Sequence, residues 1–562
     1  MTRRLQGLGV SAGEAAAPVA RLALAPTLDA DPAPVADAAD EAARASEALE
    51  AVAVELERRA AAVDGAARDV LSAQAVIARD PVIADAVRAR VQNGLDAPHA
   101  VAQAYGEHRA LLESLGGYMA ERAADLNDLR DRAIAVLLGL PMPGVPERDH
   151  PFVLVASDLA PADTATLDPA KVVAIVTELG GPTGHTAILA KQLGIPAVAA
   201  CPDAAQLTDG MRVLVDGSSG EVLVEPSDAL VAQAHERRRA REERRATSHG
   251  PGQTADGHPI PLLVNVGGPG DVDAAALHGE GVGLLRTEFL FMDRSAAPNP
   301  DEQERAYADV FQAFAGRRVV VRTLDAGADK PLAYLSRPPE PNPALGVRGL
   351  RLGHAHPELL DEQLAAIAAA ARGGDAEVWV MAPMVATVAE AREFAERARG
   401  HGLTHVGVMV EVPSAALSAR EILEVVDFAS IGTNDLAQYT MAADRLAGPL
   451  AGLLDPWQPA LLRLIEAVGS AGAATGRSVG VCGEAASDPL LALVLVGLGV
   501  TSLSMAPTCL PDVRAALAEH THAHCRDLAA TALRADGAAE ARAAVHGLAR
   551  VSAASVSPPL AV

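Results

Sequence analysis

Val406-Gly407-Val408-Met409-Val410-Glu411 and Phe428-Ala429-Ser430-Ile431-Gly432-Thr433-Asn434-Asp435 follow one plan: a short apolar run stops at polar, chemistry-bearing residues. The plan recurs through the second half of the chain. Candidate strands fall at Ile260–Val266, Val282–Leu285, Val319–Thr323, Val378–Met384, Val406–Val410, Phe428–Ile431, Val479–Cys482 and Leu503–Met505, separated by helical patterns. Continuous apolar runs of this length read as parallel strands buried on both faces. Eight of them over roughly 250 residues or more predict a (β/α)8 barrel, whose catalytic groups sit past the C-terminal strand ends.

The residues past those ends are Arg286-Thr287-Glu288, Arg322-Thr323-Leu324-Asp325 with Lys330 beyond, Glu411, Gly432-Thr433-Asn434-Asp435 with Arg445 beyond, and Cys482-Gly483-Glu484. Guanidinium groups converging on one mouth suit a multiply charged phosphate and carboxylate, which they bind bidentately. Glu411 and Asp435 offer hard oxygen ligands for Mg²⁺, which uses one or two carboxylates plus substrate oxygens. Any one such pair could be an ordinary rim salt bridge. Five strand ends agreeing favour a site.

A second stretch, Gly180-Gly181-Pro182-Thr183-Gly184-His185-Thr186-Ala187-Ile188-Leu189-Ala190, places a histidine where a glycine-rich turn enters a helix. Val172 to Val176 before it reads as a buried strand. Ala187, Ile188, Ala190 and Leu193 recur at helical spacing, and Gly194 with Pro196 ends the helix. Unpaired N–H groups and the dipole at a helix N-terminus favour an anion. A neutral imidazole there could attack a phosphoryl group; the residues alone equally allow a histidine that merely caps its helix.

At 562 residues, several folding units are expected. Half the residues are hydrophobic but aromatics are only 2%, so alanine and the smaller aliphatics must do the packing. The net charge of −25 argues against nucleic acid as a general partner. Cys201, Cys482, Cys509 and Cys525 show no CxxC spacing and read as reduced thiols, pointing to a cytoplasmic protein. Neither a secretory signal nor a membrane-length apolar run is visible.

From about Val35 to Leu140, Ala, Glu, Arg and Leu recur at helical spacing. Breaks near Gly65, Asp80-Pro81, Asn93-Gly94 and Gly116-Gly117 predict several antiparallel helices. Strand signals flank this block and finish in a hairpin, Met211 to Asp216, turn Gly217-Ser218-Ser219-Gly220, then Glu221 to Glu225. The helical block therefore interrupts a β-containing domain. His235 through Arg245 mixes basic residues with glutamates and reads as a solvated helical linker rather than a nucleic-acid patch. Thr247 to Gly257 reads as a hinge. His520, His522, His524 and Cys525, like His354 and His356, read as polar surface rather than a metal site.

GGPTGHTAILAKQLGIPAV resembles the phosphohistidine motif shared by the enzyme I family of the bacterial phosphoenolpyruvate:sugar phosphotransferase system, phosphoenolpyruvate synthase and pyruvate phosphate dikinase. GVGLLRTEFLFMDR, VVVRTLDAGADK, NPALGVRGLR, GVMVEVPSA, SIGTNDLAQYTMAADR and GVCGEAA resemble that group's phosphoenolpyruvate site, in the same order. Gly184 stands where serine is usual, and Val412 where threonine is commoner.

The resemblance implies that His185 carries the phosphoryl group and that Cys482 protonates the departing enolpyruvate. It further implies that Arg286, Arg322, Lys330, Arg348, Asn434 and Arg445 bind phosphoenolpyruvate, while Glu411 and Asp435 hold Mg²⁺. Thr164 is a further candidate contact of the histidine or its phosphate. The synthase and dikinase place an ATP-binding domain before the histidine domain; here a helical block resembles the enzyme I insertion that docks the histidine-containing carrier protein HPr. A non-catalytic regulator on the same barrel would have lost His185, the arginines or the carboxylates, and none is lost.

The implied fold is multidomain α/β. A swivelling phosphohistidine α/β domain (1–28 and 146–228) carries an inserted helical HPr-binding domain (29–145). A helical linker and hinge (229–257) lead to a C-terminal (β/α)8 TIM-type barrel (258–548), and a tail follows (549–562). A homodimer through the barrel is also implied.

Overall fold

The computed structural model describes residues 3–23, 25–61, 66–115, 123–159, 167–181, 185–292, 294, 296–327, 332–335, 340–445 and 448–555. The chain divides into two compact units. One comprises Met1–Ala15, Leu179–Pro202 and Leu214–Val562; the other comprises Ala16–Glu178 and Asp203–Val213.

All eight predicted barrel strands form. They are β9 Leu262–Val266, β10 Gly281–Leu285, β11 Arg318–Arg322, β12 Glu377–Ala382, β13 His405–Val410, β14 Phe428–Ile431, β15 Ser478–Val481 and β16 Ser502–Met505. Each pairs in parallel with the next, and β16 returns to β9 through Leu503↔Leu262, closing the barrel. Leu284, Val320, Trp379, Met381, Met409, Phe428 and Cys482 form a buried cluster of their own. Gly407 makes room for one of the chain's few aromatics. A Cβ on Gly407 would lie 2.5 Å from the Phe428 ring, and Phe428 packs 4.6 Å from Trp379 between ring centroids.

The same unit contains β1 Arg3–Gln6, antiparallel to β8 Glu221–Val224, and β2 Leu8–Ser11, antiparallel to β6 Ala197–Ala199. The predicted turn after Asp216 is closed by the Gly220 N–H, which donates to the Asp216 carbonyl at 2.9 Å. Gly220 has φ +77°, and a Cβ there would meet the Gly7 carbonyl at 2.3 Å, so the turn requires glycine.

The second unit holds the helical block. Helices Ala38–Ala60, Ala66–Ala78, Pro81–Gln92, Ala97–Leu115 and Ala123–Leu138 enclose a core that includes Leu49, Leu56, Val87, Val101, Tyr105 and Leu129. The breaks at Gly65 and Gly116-Gly117 lie outside the described residues. Asp80 caps the third helix through the Val82 N–H, with Pro81 at its first position, where a missing N–H costs nothing. Strand β3 (Glu14–Arg21) pairs in parallel across this block with β4 (Phe152–Ala156) through Val19↔Val153, and β4 pairs with β5 (Val172–Thr177). The helices are thus inserted into a sheet.

Three expectations change. Helix Asp228–Thr247 forms, but it is more than a solvated linker: Arg241 pairs with Asp512 at 2.7 Å and Arg245 donates to the Thr508 carbonyl at 2.8 Å. The predicted hinge is partly knitted into the barrel. Gly252 N–H donates to Glu280, Ile260 N–H to the Gly252 carbonyl, and Ala255 N–H to the His520 carbonyl. Helix Ala538–Ser555 runs past residue 548. Among the described residues, no helix is long and apolar enough to cross a membrane.

Candidate active site

The polar residues past the strand ends meet in one mouth. β11 ends at Arg322, whose guanidinium pairs with Glu288 Oε1 at 2.9 Å and with Asp325 Oδ2 at 3.1 Å. Arg348 forks between two carboxylates. Its Nε and Nη2 reach Asp325 at 2.9 Å each, and its Nη1 and Nη2 reach Asp435 at 2.9 and 3.2 Å. Arg348 is 1% exposed and Asp325 0%, so these charges are compensated by one another. Arg445 approaches Asp435 at 3.7 Å. Arg286 is half-buried, and its charge acts on Cys482 and Glu484. Such pairing holds planar donors in fixed orientations before any anion arrives.

Glu411, at the end of β13, is buried, and its Oε2 accepts the Met384 N–H at 2.9 Å. Met384 has φ +60°, a strained setting for a side-chain-bearing residue. A Cβ on Gly432 would lie 2.7 Å from Glu411 Cγ, so glycine leaves room for the carboxylate. Burial, then the charges of Asp435 and Asp325, push the Glu411 carboxyl up to about 8, against Arg322 and Arg348. Glu411 and Asp435 offer hard oxygen donors of the kind a divalent cation takes together with substrate oxygens, Asp435 sharing its oxygens with Arg348. Among the described residues, no group of three or more His, Cys, Asp or Glu could hold a metal. Arg322 Nε and Thr433 Oγ1 are buried there without a hydrogen-bond partner among the described residues, as groups awaiting a polar ligand would be.

Cys482, at the end of β15, is 3% exposed, its Sγ 3.7 Å from the Ile431 carbonyl. Burial pushes its thiol up to about 11, so the proton stays on sulfur at neutral pH. Asn265 Nδ2 donates to the Cys482 carbonyl at 3.1 Å, and Ser504 Oγ donates to Asn265 Oδ1 at 2.6 Å. Asn434 Oδ1 accepts the Glu484 N–H at 3.3 Å.

His185 opens helix His185–Leu193, with Ala187 and Ala190 buried and Gly194 (φ +67°) terminating it. This helix belongs to the same unit as the barrel, where Lys191 pairs with Glu484 at 2.7 Å. Arg286, Arg322, Arg348, Asn434, Arg445, Glu411, Asp435 and Cys482 therefore lie together. Lys330, Thr164 and residues 182–184 lie outside the described residues. Gln363 had no signal in the sequence: it sits mid-helix, yet its side chain joins Thr287, Tyr307 and the Leu324 N–H beneath the mouth. The roles of Glu288 and Asp325 were hidden too, although both follow predicted strands.

Three family descriptions match this chain: the PEP-utilising enzyme PEP-binding domain over residues 241–522, the PEP-utilising enzyme mobile domain over 148–220, and the PEP-utilising enzyme N-terminal domain over 6–122. A phosphoenolpyruvate-protein phosphotransferase of Streptomyces coelicolor is 54% identical, covering 98% of this chain and 99% of that protein. Proteins of the same description from Haloferax volcanii and Staphylococcus carnosus are 43% and 37% identical. They cover 86% and 95% of this chain, and 87% and 97% of their own lengths. The matches run through both halves of a chain whose barrel mouth gathers arginines, four carboxylates and a buried thiol, and this chain belongs to the phosphoenolpyruvate-protein phosphotransferases, within the PEP-utilising enzymes.

Proposed function

We propose that this enzyme transfers the phosphoryl group of phosphoenolpyruvate to its own His185 and then to HPr, releasing pyruvate, as the first step of sugar phosphotransferase transport. The observation that carries this reading is the convergence of Arg286, Arg322, Arg348 and Arg445 with Asn434, Cys482 and four carboxylates at one barrel mouth. The helix headed by His185 lies on the same unit.

Arg286, Arg322, Lys330, Arg348, Asn434 and Arg445 bind the substrate's phosphate and carboxylate in this proposal. Glu411 and Asp435 would hold Mg²⁺, which when bound would supply positive charge to offset that of the phosphoryl group. The phosphorus–oxygen bond to enolpyruvate breaks as a phosphorus–nitrogen bond to His185 forms. The electron pair stays on the leaving oxygen. The Cys482 thiol, held protonated by burial, gives its proton to the terminal carbon of enolpyruvate to yield pyruvate, and the thiolate is reprotonated from water. Catalysis rests on positioning and preorganised charge.

The histidine then leaves the barrel for the carrier, which the inserted helical block docks. The protein acts in the cytoplasm as a homodimer through the barrel, a state that sedimentation velocity reads directly. The test of function is phosphorylation of purified HPr from phosphoenolpyruvate. It should require this protein and Mg²⁺ but no ATP; an HPr that stays unmodified would refute the reading.

A further inference from the structure

Helix His185–Leu193 is tied to the barrel by its far end. The Lys191 ammonium donates to Glu484 Oε2 at 2.7 Å, with both side chains largely buried, and Thr508 Oγ1 donates to the Lys191 carbonyl at 2.6 Å. Lys191 lies six positions after His185, about 9 Å along the helix axis. Glu484 lies two positions after Cys482, and its N–H donates to Asn434. One ion pair thus joins the helix headed by His185 to the turn that carries Cys482, and that turn is itself hydrogen-bonded to Asn434 on helix Thr433–Met441.

The pair is a charged one. Burial alone would raise the Glu484 carboxyl, but the Lys191 charge and hydrogen bond, with Arg286 beyond, hold it below its ordinary value. Lys191 is also one of only three lysines among 47 basic residues, so an ammonium is not this chain's default cation.

We propose that Lys191 and Glu484 are positioning residues of the charging step. Their ion pair sets helix His185–Leu193 in register over the barrel mouth while the phosphoryl group passes to His185, and it opens before the histidine meets the carrier. This inference rests on the reading of His185 as the acceptor. In that reading the exchange of the phosphoryl group between His185 and HPr uses neither Cys482 nor the phosphoenolpyruvate ligands of the barrel, so the pair belongs to the first half-reaction alone.

The test uses the full chain and rapid-quench labelling of His185 by phosphoenolpyruvate labelled on phosphorus, with Mg²⁺. Wild type is compared with Glu484→Gln, Lys191→Met, Lys191→Arg and the double reversal Lys191→Glu with Glu484→Lys. A charge-assisted hydrogen bond shifts an equilibrium roughly tenfold or more. Glu484→Gln and Lys191→Met should therefore slow charging by about that factor, with the KM for phosphoenolpyruvate within about twofold of wild type. Lys191→Arg and the double reversal should recover much of the rate. Labelling of Glu484→Gln from phosphorylated HPr should match wild type, which also reports that the variant is folded. Unchanged charging in both single variants overturns the proposal, as does equal slowing from both donors. A wild type that takes no label from either donor overturns the underlying reading, and the pair's role with it.

Discussion

Arginine–carboxylate pairs recur in both the inserted helical block and the barrel mouth, yet they do different work. In the block, Arg58 pairs with Glu55 one helical turn away at 2.8 Å, and the Arg58 side chain is about half exposed. Arg79 spans Glu50 and Glu57 on the same open face. Water competes for such groups, and each pair contributes little. In the mouth, Arg348 and Asp325 are almost wholly buried, and the lost hydration is offset only while every partner stays in place. Identical chemistry decorates a surface in one region and preorganises a charged site in the other.

The contrast is sharpest at Arg348. Arg348→Met should lower barrel stability by about 3–5 kcal/mol, because Asp325 and Asp435 lose their compensating charge. Calorimetry resolves this, and a change below about 1 kcal/mol would break the comparison. Next in size is Cys482→Ala, expected to slow pyruvate formation roughly a hundredfold or more if the thiol is the general acid. The pH profile sharpens the test. The folded thiol titrates near 11, above its ordinary 9.0, so its stabilising contribution is complete below 9 and is lost as pH rises through 11. A donor limb in the wild-type profile should fall only in that alkaline range and be absent from Cys482→Ala.

The helical block should respond more mildly. Asp37 caps helix Ala38–Ala60 by accepting the Ala39 N–H at 2.7 Å. Asp37→Ala should cost about 1 kcal/mol in that unit's unfolding and leave charging of His185 by phosphoenolpyruvate intact. Arg58→Ala should change stability by less than about 1 kcal/mol, and less again in high salt. A loss comparable to that of Arg348→Met would show that exposure does not separate the two regions.

Legibility divides along a similar line. The barrel is readable because parallel strands buried on both faces are unbroken apolar runs, and because its working groups follow those runs directly: Arg322 after Val321, Glu411 after Val410, Cys482 after Val481. Supporting groups are not readable. Gln363 reaches Thr287 from a helix 76 positions along the chain, and Lys191 finds Glu484 across 293. Met384 supports Glu411 through its backbone N–H, which any residue but proline carries. Helix Asp228–Thr247 looks solvated because its arginines alternate with glutamates, while Arg241 turns to Asp512 at a distance no local pattern encodes. Contacts that follow a strand leave a local trace; contacts made by folding do not.

The most direct measurement is incubation of the purified protein with Mg²⁺ and phosphoenolpyruvate labelled on phosphorus, beside His185→Ala. Wild type should take up acid-labile label with release of pyruvate, and His185→Ala should take up none. Equal labelling of the two proteins, or pyruvate without label on wild type, would contradict His185 as the phosphoryl acceptor.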